Sequence, residues 1–194
     1  MPCIIPLTDL SQADRMRIRA GAKKAVLDKA VELNIGKPGD IVVRDAVMGD
    51  VTTTQITDFA DVINDTTTVA AGQEFWGIDS TEITAYDLSQ VIKGYDGGNV
   101  KNKNVIGVFG FFDNTATPDL TAIRLKRGSD TLDFWETEQC YANTNEFGGM
   151  IDGVIIWEEQ DPFAIDMNFK TAADKLVGLY ALVAERYGEH ISAA

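Results

Sequence analysis

The residues able to do chemistry in this 194-residue chain are mostly carboxylates. Glu136 and Glu138 lie two apart, and Glu158, Glu159 and Asp161 crowd one turn. Such pairs act as acid and base on a sugar, one protonating the leaving oxygen while the other attacks or activates water. A chain with 30 Asp and Glu against 17 Lys and Arg produces such clusters freely, so solvated loop and edge charge is the competing reading. Asp113, Asn114 and Asp119 share a loop and offer the hard oxygen ligands that calcium takes, though not at EF-hand spacing. The single histidine, His190, stands four residues from the end. A general base must be held within hydrogen-bond reach of its nucleophile, which a terminal tail does poorly. The sequence contains no G-x-S-x-G elbow, no H-E-x-x-H and no Walker-type phosphate loop. No catalytic residue, cofactor site or metal site is therefore assigned, and the chain is not expected to be an enzyme.

Cys3 and Cys140 are too few and too far apart for a disulfide framework. Two buried thiols are expected, with a single bridge as the alternative. Trp76, Trp135 and Trp157 all fall on expected strands, where core packing accounts for them. A sugar-stacking platform or an oligomer interface is the functional alternative. Trp135 is the first candidate for an exposed anchor, because alternation breaks between Asp133 and Glu136; Tyr141 is the second. Core packing competes with that role for both.

The elements that would position these residues are strands. Phe163, Ile165, Met167 and Phe169 alternate with Asp166 and Asn168, the period of a strand with one buried face. Thr121, Ile123 and Leu125 alternate with Arg124 and Lys126 in the same way. Residues 105–112 are apolar on both faces. Further strands are expected at 40–45, from Phe75–Trp76 through 82–86, at 132–135 running into 139–142, at 154–157 and at 176–184. The Thr- and Asp-rich run 50–70 permits both strand and turn, and 143–149 reads as a polar loop. Several short strands separated by turns indicate an antiparallel sandwich or barrel. No apolar run reaches the roughly 18 residues that cross a bilayer, and the first residues lack the features of a signal peptide.

One helix precedes the strands. Ser11 and Asp14 form a capping-box-like start, and Asn34-Ile-Gly-Lys-Pro38 ends it. Its apolar residues include Met16, Ala20, Val26, Leu27, Ala30 and Val31, a ragged stripe among basic side chains. Residues 1–37 hold seven Lys and Arg against four acids, a charge of +3; the whole chain is −13, which leaves −16 for the rest. An acidic body repels free nucleic acid. The helix either packs on the body with a solvated basic face or reaches out as an arm to a partner or an anionic membrane.

From about residue 100 the order of motifs resembles the strand succession of single jelly-roll coat proteins from tailless icosahedral viruses. The motifs are Val105-Ile-Gly-Val-Phe-Gly-Phe-Phe112, Thr121-Ala-Ile-Arg-Leu-Lys-Arg-Gly128, Leu132-Asp-Phe-Trp-Glu136, Val154-Ile-Ile-Trp157, Phe163-Ala-Ile-Asp-Met-Asn-Phe169 and Leu179-Tyr-Ala-Leu-Val-Ala-Glu185. The resemblance covers about half the chain and consists of strand patterns. It implies a viral capsid subunit that self-assembles through sandwich edges, loops and an N-terminal arm. The expected fold is mainly β, a jelly-roll-like antiparallel sandwich at 39–194 with a helical arm at 1–38. The expected partners are other copies of the chain, other virion proteins and an inner membrane met by the basic helix, with no specific nucleic-acid recognition. The expected location is the virion, assembled in the host cytoplasm. A non-catalytic binding module, either a virion decoration protein or a carbohydrate-binding sandwich, is the alternative.

Overall fold

A computed structural model describes residues 3–46, 76–78, 80–92, 99–100, 102–141 and 147–187. Along the chain the elements are β1 (Ile4–Pro6), α1 (Gln12–Glu32), β2 (Ile41–Ala46), β3 (Trp76–Ile78), β4 (Leu88–Ile92), β5 (Asn104–Asp113) and β6 (Leu120–Arg127). They continue with β7 (Asp130–Glu136), β8 (Gly148–Trp157), β9 (Phe163–Phe169) and β10 (Lys175–Arg186). The apolar run at 176–184 is thus a strand, as its Val, Tyr and Gly content favours.

The strands form two antiparallel sheets. One has the order β1-β8-β5-β10-β2, with β3 also pairing β10; the other has the order β4-β9-β6-β7. The pairings nest: β6 with β7, β5 with β8, β4 with β9, and β2 and β3 with β10. A long two-stranded ribbon of this kind, rolled until β5 meets β10 and β6 meets β9, is a jelly roll. Rolling alternates the ribbon between layers and brings both inner faces onto one core.

The alternating strands turn inward the side chains that the sequence pattern selects. Phe163, Ile165, Met167 and Phe169 of β9, and Ile123 and Leu125 of β6, are fully buried. Trp157 of β8 stacks at an angle on Phe163 of β9, with centroids 4.7 Å apart. Its indole Nε1 donates to the Lys126 carbonyl at 2.8 Å, joining the two sheets through one side chain.

Strand β5 is buried on both faces because α1 covers the outside of the larger sheet. The row Ile18, Ala22, Val26 and Ala30, spaced four apart, is the buried one. Val26, Leu27, Ala30 and Val31 of the expected stripe pack on the core, but Met16 is 66% exposed and Ala20 is also outside, and Ile18 and Ala22 take their place. Small side chains allow close approach: a Cβ on Gly107 would sit 2.3 Å from Val26 Cγ2. The helix starts where Ser11 Oγ accepts from the Asp14 amide at 3.1 Å and donates to its carboxylate at 2.6 Å. That bond holds the Asp14 carboxyl below its usual range. Asn34, at φ 57°, ends the helix, with Ile35 N–H donating to the Ala30 carbonyl and Asn34 N–H to that of Val31. This is a Schellman closure with asparagine in the left-handed position, so the break comes before the Gly36 and Pro38 that mark it in sequence.

Two strand expectations are corrected. Residues 82–86 are not a strand: Ser80–Glu82 is a 3-10 turn, and Asp87 N–H donates back to the Thr84 carbonyl. The strand starts at Leu88, because these local bonds use the backbone groups that a ladder needs. Glu138–Tyr141 is likewise a 3-10 turn and not a continuation of β7. The Thr- and Asp-rich run 50–70 and His190 lie outside the described residues.

Candidate functional site

The expected aromatic anchor is inside the protein. Trp135 is 1% exposed, and its Nε1 donates to Asp133 Oδ2 at 2.8 Å. Asp133 is itself buried and also accepts from the Phe134 amide, so the broken alternation marks a satisfied polar residue on the inner face. Tyr141 is half-buried and stacks on Phe147 at 5.6 Å, with its hydroxyl donating to Asp113 Oδ2 at 3.2 Å. Trp157 is core. The Trp76 side chain and residues 143–146 lie outside the described residues, and the expected polar loop is corrected at its end, where Gly148 and Gly149 are buried in β8.

Four of the five candidate acid–base carboxylates are tied up in structure. Glu158 Oε1 pairs with Lys29 Nζ at 2.8 Å. Asp161 Oδ2 holds Arg127 Nε at 2.8 Å and caps the turn by accepting from the Glu158 amide. Glu159 accepts from the Lys103 amide. Glu138 pairs with Lys170 at 3.0 Å across exposed surface, while Glu136 points to solvent. The calcium candidates have other partners: Asp113 serves Thr115 and Tyr141, whereas Asp119 serves Thr171 and Lys175. Among the described residues no group of three or more His, Cys, Asp or Glu is placed to hold a metal ion.

The thiols are unpaired, and only one is buried. Cys3 is exposed, which corrects the expectation of two buried thiols. Burial pushes the Cys140 thiol up to about 12, so it stays protonated and inert at neutral pH.

The basic helix uses much of its charge on its own body. Arg17 reaches Asp152 of β8 at 3.2 Å, and Arg19 forms a two-pronged pair with Asp45 of β2. Lys29 spans Glu158 and Glu32, whose bonds raise its ammonium above the usual range. Arg15 donates to the Leu7 carbonyl. Of the two placements considered for this helix, packed or extended, it is packed. Inside the smaller sheet's charged face, Asp166 of β9 carries both Arg124 and Lys126 of β6.

One cluster was not singled out as a unit in the sequence. Lys175, at the first position of β10, has its Nζ 2.6 Å from Asp119 Oδ1, with side-chain exposures of 1% and 9%. Thr171 Oγ1 bonds both partners, at 2.9 Å from Nζ and 2.5 Å from Asp119 Oδ2. The Phe169 ring lies 5.4 Å beneath the ammonium. At the end of β5, burial raises the Asp113 carboxyl above the usual range, against the pull of its Thr115 and Tyr141 bonds. Burial, with Asp113 beside it, likewise raises the Tyr141 hydroxyl. The only sequence signal was a lysine opening a nearly uncharged apolar run.

Comparison with known proteins returns no matching family model, no matching curated protein and no matching solved structure.

Proposed function

We propose that this chain is a structural subunit of a viral shell, self-assembling through the lateral surfaces and end loops of its jelly roll. The observation that carries the reading is the nested strand pairing, with a helix fastened along the outside of one sheet. Jelly rolls serve capsids, lectins and cupins alike, so the fold narrows the field without choosing within it. The engagement of Glu138, Glu158, Glu159 and Asp161 in ion pairs and turn bonds favours a non-catalytic role. Direct strand addition between copies is disfavoured at two edges. β1 is three residues long and ends in Pro6, and β7 carries Asp130, Asp133 and Glu136. With Arg17, Arg19 and Lys29 paired internally, head-to-tail attraction between helix and body is weakened. Repulsion between copies of net charge −13 remains.

This balance fixes the sign of the test. Light scattering and negative-stain imaging of the full-length protein at low and high salt should show rings or closed particles, favoured by added salt. A small particle indifferent to salt would overturn self-driven assembly. Deleting residues 1–37 is an unsuitable variant, because it uncovers β5 and confounds assembly with folding.

A non-catalytic binding module is the second reading, and one residue favours it. Tyr86 is 75% exposed with φ 59°, a left-handed backbone that bulky residues rarely adopt, in a turn anchored to the Phe169 carbonyl. A glycan-array signal that disappears in Tyr86→Ala, from a protein that stays small in solution, would select this reading.

A further inference from the structure

We propose that the Lys175 amine condenses with the Asp119 carboxyl to form an intramolecular isopeptide bond, tying the start of β10 to the residue before β6. The nucleophile and electrophile are already in contact at 2.6 Å and nearly sealed from water. Holding two reacting groups so converts a bimolecular encounter into an internal one, with effective concentrations on the order of 10⁵ M or more. Burial also changes the balance between reactant and product. An ammonium and a carboxylate lose their hydration here, whereas an amide has little to lose.

The reaction is a dehydration with no redox partner. A proton passes from the ammonium to the carboxyl, leaving a neutral amine and a neutral acid. The nitrogen lone pair attacks Asp119 Cγ, and a C–N bond forms. The tetrahedral centre then expels one carboxyl oxygen as water, taking up the second amine proton. Ammonium plus carboxylate thus become amide plus water. Thr171, bonded to Oδ2 and exposed to solvent, marks the side by which water leaves. Asp113 sits opposite Val177 on the neighbouring strand, making it a diagonal neighbour of Lys175. Such neighbours lie about 7–8 Å apart between backbones, within side-chain reach. Burial raises the Asp113 carboxyl above its usual range, and from this position it can relay the second amine proton to the departing oxygen.

The molecule contains its own control. Lys126 and Asp166 are also a lysine–aspartate pair in contact, at 2.9 Å, with side-chain exposures of 13% and 2%. Asp166 carries the Arg124 guanidinium as well, so its carboxylate is occupied by a second, permanent cation. Asp119 has only Lys175 as a charged partner among the described residues.

This inference is independent of the shell reading, since the bond lies within one chain. The test is the intact mass of denatured full-length protein, followed by peptide mapping. The expected result is a mass lower by one water, with residues 119 and 175 in one branched peptide and no tryptic cleavage after Lys175. Lys126 should remain free. Lys175→Arg should show its full sequence mass. Asp119→Asn should reach the same final mass as the cross-linked wild type, by losing ammonia instead of water. Asp113→Asn should slow the conversion at least tenfold; conversion at the wild-type rate would remove Asp113 from the reaction. Full wild-type mass with normal cleavage after Lys175 would overturn the proposal. So would a water deficit that maps to a succinimide at Asp96 or Asp152, each followed by glycine. The wild-type mass decides the question even if a variant fails to fold.

Discussion

The two sheets solve the same problem in different ways. The two central strands of the larger sheet, β5 and β10, are buried on both faces, and they accordingly read as continuous apolar runs. The smaller sheet buries one face and keeps an Arg124–Asp166–Lys126 network on the other, so β6 and β9 read as alternating. The uncovered sheet needs only the sandwich core. The covered one needs a third layer, which α1 supplies with small residues at four-residue spacing. A strand with two apolar faces is therefore a statement about something else in the molecule, namely the element that lies over its second face.

The contrast can be broken most forcefully at Trp135. If the smaller sheet is held by its inner face alone, Trp135→Ala should cost about 3–5 kcal/mol. Urea denaturation should show it, with Asp133 left without its indole donor. A variant of unchanged stability would return Trp135 to the role of surface anchor. Next comes the helix layer. Val26→Ala should cost about 2 kcal/mol. It should also soften the penalty of Gly107→Ala, because it removes one of the two valines that a new Cβ would strike. A strictly additive double mutant would mean that the helix does not press on β5.

The pH dependence sharpens the comparison at the seam between the layers. The raised Asp113 carboxyl lets the folded state hold its proton at pH values where the unfolded chain, near 3.8, has released it. Stability should therefore fall as pH rises from 3.8 through the folded-state value and level off above it. Asp113→Asn should flatten that part of a thermal-melt series, and a wild-type profile in this variant would assign the slope to another group. The smallest effect belongs to the helix's outer charges. Arg19→Ala should cost about 0.2–1 kcal/mol, less in high salt, because both partners of its pair with Asp45 are more than half exposed. A loss of several kcal/mol in denaturant melts would mean that charge, and not the Ile18–Ala30 row, docks the helix.

Much of the architecture was legible before any coordinates. The alternation of β6 and β9, the apolar run of β5 and the Ser11 cap each follow from a local rule and appear where that rule puts them. The misses share a cause. Residues 82–86 carry β-branched and aromatic side chains, yet turn bonds around Thr84 and Asp87 claim their backbone. The helix stripe is right for its second half, and only Met16 and Ala20 give way to Ile18 and Ala22, because helical register against β5, and not hydrophobicity alone, sets which face turns inward. Trp135 invited an anchor role because Asp133 and Glu136 flank it, and only the inward turn of Asp133 shows that the break is internal.

The sequence by itself determined the class of fold, since period-two patterning and turn residues act over a few neighbours and need nothing distant to be read. Tertiary structure alone decided which strands pair, that the helix lies on the body, and that Lys175 meets Asp119 across 56 residues. Those outcomes depend on shape and on the exclusion of water between distant segments, and no local pattern encodes either.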